Sequence, residues 1–196
     1  MRLAVLASGS GTNLQALLDH ADSAPHIAVV ITDRPGAGAV ARAERAGVAV
    51  EVVPWTGDRT SHTRAVCDAV TAHDCEAMVL AGFMRILGPE AIDRFPCRII
   101  NIHPSLLPAF PGAHAVAQAL AHGVKLTGVT VHFVDEEVDH GPVIAQRAVP
   151  VQPDDTEASL HARIQTEEHA LLPEVVGALV TDRLGVDGRR VTWEPA

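Results

Sequence analysis

The 196-residue chain has no apolar run of about 18 residues, so a membrane-spanning helix is not supported. It has no Gly-Lys-Ser/Thr, which excludes the phosphate loop of nucleoside-triphosphate-binding proteins. HExxH and CxxC spacings do not occur. A catalytic metal needs about three ligands with supporting partners, so no metal is expected. No serine or cysteine stands in a nucleophile elbow, and nothing suggests a covalent acyl-enzyme. Cys67, Cys75 and Cys97 are odd in number, fit no metal motif and are expected to be buried thiols. Lys125 is the only lysine against fourteen arginines, a bias we attribute to the genome rather than to mechanism. The net charge of -9 argues against nucleic acid as a partner.

What is present suits one folded domain over residues 1–196. Hydrophobic residues make up 47% of the chain, enough for a large core. The opening MRLAVLASGSG is too short for a signal segment and runs into a glycine loop. It reads as the first strand of a cytoplasmic protein. Strands are predicted at Leu3–Ala7, Ile27–Thr32, Val48–Val53, Ala77–Ala81 and Arg98–Ile102. Helices are predicted between them at Asn13–His20, Gly38–Ala46, Thr60–His73 and Pro89–Phe95. Runs such as IAVVIT and AMVLA are apolar almost throughout, as in strands of a parallel sheet buried on both faces. The fold class is therefore α/β, a doubly wound, mostly parallel sheet with ligands at the carboxyl ends of its strands.

The second half differs. Ala113–His122 reads as a helix. Val129, Val131 and Phe133 alternate with Thr130, His132 and Val134, the mark of a strand with two unlike faces. After DEEVDHGP comes a strand at Val143–Val149. A long helix is predicted from Asp154 to Asp182, with Asp154 as N-cap, Glu157 three residues on, and a kink or break at Pro173. LGVDGRRVTW reads as a hairpin turning at Asp187-Gly188. An antiparallel C-terminal part is expected.

Two stretches carry chemistry at predicted strand ends. Ser8-Gly9-Ser10-Gly11-Thr12-Asn13-Leu14 follows a strand and opens a helix, where free N–H groups and the helix dipole favour an anion. Leu14 stands where a dinucleotide fingerprint wants its third glycine. Asp33 ends the second strand as a ribose-binding acid would. One phosphate fits best; a plain tight turn and a weakened dinucleotide site remain alternatives. The other stretch, IINIHPSLLPAFPG, spans Ile99–Gly112. Its prolines forbid helix, Pro104 holds His103 extended, and Asn101 and His103 share a strand face.

An amide that donates, an imidazole that titrates near neutrality and a carboxylate at Asp139 form a plausible acyl-transfer set. Asn101 would stabilise an oxyanion, His103 would protonate a leaving nitrogen, and Asp139 would favour the charged imidazolium. A structural histidine and a turn asparagine are the alternative. AGFMRILGP (Ala81–Pro89) follows a strand and could wall a pocket for a flat heteroaromatic ring, or be an ordinary βα connection. Of eleven histidines, His20, His26, His62, His73, His122, His161 and His169 are expected to be solvated, while His103, His114, His132 and His140 could converge.

With these residues together the chain resembles the phosphoribosylglycinamide formyltransferase family of folate-dependent formyltransferases. The resemblance runs from Met1 to about Val180 through ASGSGTNLQAL, VLAGFMRIL, NIHPSLLPAFPG, GVTVHFVDEEVDHGP and QTEEHALLP. It implies a Rossmann-like formyltransferase fold, with a phosphate-binding half at about 1–100 and a catalytic, folate-binding half at about 101–196. It implies that Gly11, Thr12, Asn13, Leu14 and Gln15 hold the phosphate of 5'-phosphoribosylglycinamide and that Glu168 contacts this substrate. Arg59 and the segment Met84, Arg85, Ile86, Leu87 would receive 10-formyltetrahydrofolate, with Asn101 shared between binding and catalysis. Asn101, His103 and Asp139 match the catalytic trio.

The implied activity is formyl transfer to the substrate amine in purine synthesis. It would use small-molecule partners only, with no nucleic acid or membrane, by a monomer or homodimer. Thr12 stands where Ser is common, and His140 fills a variable place beside Asp139. Rival readings are a 10-formyltetrahydrofolate hydrolase, whose family carries an extra N-terminal domain where this catalytic fold starts at Met1, and a non-catalytic nucleotide or folate sensor.

Overall fold

The structure, a computed structural model, describes residues 1–193; the last three residues of the expected domain lie outside the described residues. Seven strands form one sheet: β1 (Leu3–Leu6), β2 (Ile27–Thr32), β3 (Ala49–Val52), β4 (Ala77–Leu80), β5 (Ile99–His103), β6 (Leu126–Phe133) and β7 (Val143–Pro150). Their order is β3-β2-β1-β4-β5-β6-β7. The first five run parallel, and β6 and β7 are each antiparallel to the strand before them. From β1 the chain steps outward to β2 and β3, then returns to add β4 and β5 on the other side. The crevice at the carboxyl ends of β1 and β4 is therefore a topological switch point, where such sheets bind ligands.

Both faces of the sheet are covered, which is why β1 and β4 at its centre are apolar at every position. Leu3, Ala4, Val5 and Leu6 are all fully buried. Leu3 and Val5 face α1 (Thr12–Asp19), α2 (Gly38–Arg45), α5 (Ala115–His122) and α6 (Glu157–Val180); Ala4 and Leu6 face α3 (Arg59–Ala72) and α4 (Pro89–Arg94). Each large side chain so buried contributes roughly 1.5–3 kcal/mol. Strand β3 is an edge and lies largely exposed.

Five sequence expectations need correcting. The N-cap of α6 is Thr156, not Asp154. Its hydroxyl accepts the Ser159 N–H at 3.1 Å, and the Ser159 hydroxyl accepts the Thr156 N–H at 3.0 Å. Asp155 instead accepts the Gln152 N–H at 2.7 Å, so the chain is still in a turn where a helix start was expected. Pro173 does not split α6. Leu171, Leu172, Val175 and Val176 around it are buried, and this packing outweighs the roughly 3 kcal/mol a helical proline costs. The hairpin of β8 (Leu184–Asp187) and β9 (Arg190–Trp193) pairs Asp187 with Arg190, so it turns at Gly188-Arg189, one residue later than expected.

Cys97 is exposed, because it lies in the turn between α4 and β5 in a left-handed conformation with φ 53°. Cys67 and Cys75 are buried, and burial pushes both thiols up to about 11. His62 is buried rather than solvated. It packs between the Trp55 and Phe83 rings at 5.2 and 6.1 Å, with Nε2 3.0 Å from the Val53 carbonyl.

Candidate active site

Strand β5 ends in Asn101 and His103 on one face, and the antiparallel register sets His132 of β6 opposite Asn101. The loop after β6 returns Asp139 over them. Asp139 Oδ2 lies 3.3 Å from His103 Nδ1, and Oδ1 accepts from Asn101 Nδ2 at 3.3 Å. Side chains of β5 thus meet those of β6 and of the loop that follows it, far along the chain. His103 Nε2 also stands 2.8 Å from the Phe110 carbonyl, held there by the proline loop. Both ring nitrogens face acceptors, an arrangement that only a doubly protonated imidazole satisfies in full.

Of the histidines that could converge, His132 joins the site and two others do not. His140 turns to Asp135 at 2.8 Å, and His114 begins α5. The His132 ring lies 3.1 Å from Asn101 Nδ2 and 3.6 Å from Asp139 Oδ1, while its Nδ1 donates to the Phe133 carbonyl at 2.8 Å. Burial drives the Asp139 carboxyl upward. The hydrogen bond from His132, the Gly112 N–H at 2.7 Å and the charges of His103 and His132 outweigh this and hold it below its ordinary value. The carboxylate therefore stays ionised in a nearly closed setting.

A cleft of about 380 Å³ opens over these groups. One wall is the expected segment after β4. Met84 and Ile86 are 64% and 56% exposed, apolar surface available to a flat ring, whereas Leu87 is buried in the core. Arg59 stands outside the cleft lining, with its guanidinium on the carbonyl of Leu87. Arg85 lines the cleft but is bound at 2.7 Å to Asp33, whose side chain is fully covered. This removes the ribose-binding acid that the dinucleotide alternative required.

The other end lies at the start of α1. Gly11 adopts φ 73°, and a Cβ there would come within 2.8 Å of the Ala39 backbone, so only glycine fits. No side chain caps this helix, which leaves its first N–H groups free for an anion. Thr12 and Gln15 line a cavity of about 490 Å³ beside it. Leu14 is core and can offer only its backbone there.

The same cavity is lined by Arg42 and His169, which the sequence reading missed. Arg42 donates to the Ser10 carbonyl at 2.8 Å and to Gln15 Oε1 at 3.0 Å, but nothing in its local sequence marks it. His169 follows directly on Glu168 in QTEEHALLP. Burial, then the Arg42 charge, lowers its affinity for a proton. Glu168 is buried and accepts from Asn13 Nδ2 at 3.2 Å. Burial raises its pKa, opposed by that hydrogen bond and by the charges of His161 and His103. Its carboxyl thus ties α6 to the start of α1 and feels the charge of His103 without touching it.

Residues 1–176 match the family described as formyl transferase. The chain is 48% identical over 195 residues to a phosphoribosylglycinamide formyltransferase of Mycobacterium tuberculosis, covering 97% of this chain and 90% of that one. Its fold superposes with a TM-score of 0.95 on glycinamide ribonucleotide transformylase 1 from Symbiobacterium toebii, at 46% identity over 98% of this chain and 93% of that one. A formyltetrahydrofolate deformylase from Pseudomonas syringae matches at a TM-score of 0.90 and 31% identity, over 98% of this chain but 65% of its own. Family match, near full-length relatives and shared fold agree: the chain belongs to the formyl transferase family.

Proposed function

We propose that the chain transfers the formyl group of 10-formyltetrahydrofolate to the amine of 5'-phosphoribosylglycinamide, acting as one formyltransferase domain. The observation that carries this is the meeting of Asn101, His103 and an ionised Asp139 at one end of a cleft with an apolar wall. The names of its relatives supply the substrate amine. The phosphate lies against Gly11, Thr12, Asn13, Leu14 and Gln15, where free N–H groups and the helix dipole favour it. Glu168, bound to Asn13, holds the start of α1 in place. The pterin packs on Met84 and Ile86.

The substrate amine attacks the formyl carbon, and negative charge develops on its oxygen. Protonated His103 and an N–H of Asn101 stabilise that oxygen, and Asn101 must release Asp139 or His132 to donate. The C–N bond to the folate nitrogen then breaks. That nitrogen gains one proton while the attacking nitrogen loses one, so the exchange balances with no net oxidation. The Asp139 carboxylate lies 3.3 Å from His103 Nδ1, beside the imidazolium the step uses.

The likeness to a deformylase favours one rival, in which water takes the formyl group. An assay of formyl-donor consumption with and without the ribonucleotide separates the two. Transfer that requires the ribonucleotide is expected. Formate release without it would establish the hydrolase, and ligand binding without turnover would establish a sensor.

A further inference from the structure

The loop that carries Asp139 is a thin partition. On one side lies the cleft, and on the other a second cavity of about 300 Å³; both are lined by Glu137, Val138 and Asp139. The base of the loop is fixed: the Phe133 N–H donates to the Pro142 carbonyl at 2.9 Å, and a Cβ on Gly141 would lie 1.9 Å from the Phe133 oxygen. Its tip is not packed on either side. Asp139 itself has a left-handed backbone, φ 53°, which a non-glycine residue keeps only when its surroundings enforce it.

Among the described residues, two polar ties join the loop tip to other elements. One is the Asp139 carboxylate, which reaches into the site. The other is Arg189, from the two-residue turn of the C-terminal hairpin and beyond the family match at residues 1–176. Its Nη2 donates to the His140 carbonyl at 2.7 Å. Its Nη1 stands 3.4 Å from Nδ1 and 3.3 Å from Nε2 of the same His140 ring, so the guanidinium lies against the ring rather than in line with one nitrogen. Nδ1 of that ring is also tied to Asp135 Oδ2 at the start of the loop, 2.8 Å away. Asp135, His140 and Arg189 form a clasp that closes the loop on itself and anchors it to the hairpin.

We propose that Arg189 is a positioning residue: acting through His140, it holds Asp139 against His103 and Gly112 and fixes the loop wall of the cleft. The role rests on the proposed formyl transfer for its kinetic consequence, but its structural consequence can be read without any substrate.

The test compares wild type with Arg189→Ala and Arg189→Lys. Loss of a charge-assisted hydrogen bond is expected to raise KM for 10-formyltetrahydrofolate about tenfold and lower kcat about threefold in Arg189→Ala. KM for the ribonucleotide and the unfolding midpoint should stay unchanged, because Arg189 is an exposed turn residue remote in sequence from the phosphate loop. Arg189→Lys should recover part of the loss. In the ligand-free protein, NMR should show faster exchange of the Gly112 amide, which Asp139 accepts. Unchanged donor kinetics and unchanged Gly112 exchange would overturn the proposal. So would a fall in kcat that tracks a lowered unfolding midpoint with both KM values intact, since that reports only lost protein. If wild type transfers no formyl group, the functional reading fails, and the Gly112 amide still decides for or against the clasp.

Discussion

The two ends of the site are built on opposite plans. At the proposed phosphate end the backbone does the work: Gly11 lies against Ala39, α1 starts uncapped, and Arg42 braces the loop by its carbonyl. At the proposed formyl end the groups are side chains from three segments, among them the Asp139 carboxylate. Their alignment depends on strand register and on a loop with few ties. Binding a phosphate needs several modest contacts in one short stretch. Stabilising a transient oxyanion needs a few groups at defined positions: here Asn101 and His103 come from β5, and the carboxylate beside them comes from a separate loop.

The largest effect should come from the formyl end. His103→Ala or Asp139→Asn should lower kcat by about 10²–10⁴-fold, the span typical of a lost acid–base group, with ribonucleotide KM nearly unchanged. Steady-state kinetics checks this, and near wild-type turnover would remove the basis for the comparison. Gly11→Ala should show the reverse split. It forces a side chain into a left-handed position, at roughly 1–2 kcal/mol, and against the Ala39 backbone. Ribonucleotide KM should rise about tenfold or more while donor KM holds. If both constants move together, the ends are not separable.

Third is His132→Ala. His132 helps hold the Asp139 carboxyl below its ordinary value. Asp139 is thereby stabilising above its unfolded value, and that contribution disappears as pH falls through its folded one. Without His132 the folded value rises, so the acid limb of the kcat profile should move to higher pH. A profile that falls uniformly at all pH values would assign His132 to packing alone.

The smallest effect is on stability. Burial raises the Glu168 pKa, so its contribution is favourable below the unfolded value and lost as pH rises through the folded one. Glu168→Gln, which keeps an acceptor for Asn13, should raise the unfolding midpoint by roughly 2–4 °C at neutral pH. The gain should vanish on acidification. Activity should fall even as stability rises.

Legibility followed the same division. The βα repeats, the glycine loop and the proline segment are local patterns, and the elements they predict lie where expected to within a few residues. Asn101 and His103 could be paired because two residues on one strand share a face. His132 was half visible: the alternation of β6 put it on the polar face, but only the β5–β6 register shows that it meets Asn101. Arg42 had no local mark, since its role comes from α2 packing beside α1. The burial of His62 and the survival of Pro173 inside α6 are likewise decided by neighbours outside each residue's own helix, where packing overrides the preference of the single residue.

The Arg85–Asp33 pair bears on which molecules compete for the crevice. In a dinucleotide-binding protein, an acid at the end of the second strand grips a ribose. Here the Arg85 guanidinium, from the loop after β4, has taken that acid, and Asp33 has no exposed side-chain surface left. Adenine dinucleotides would therefore find a turn of familiar shape with its sugar anchor already occupied, and the pairing of Asp33 leaves that turn suited to a smaller guest.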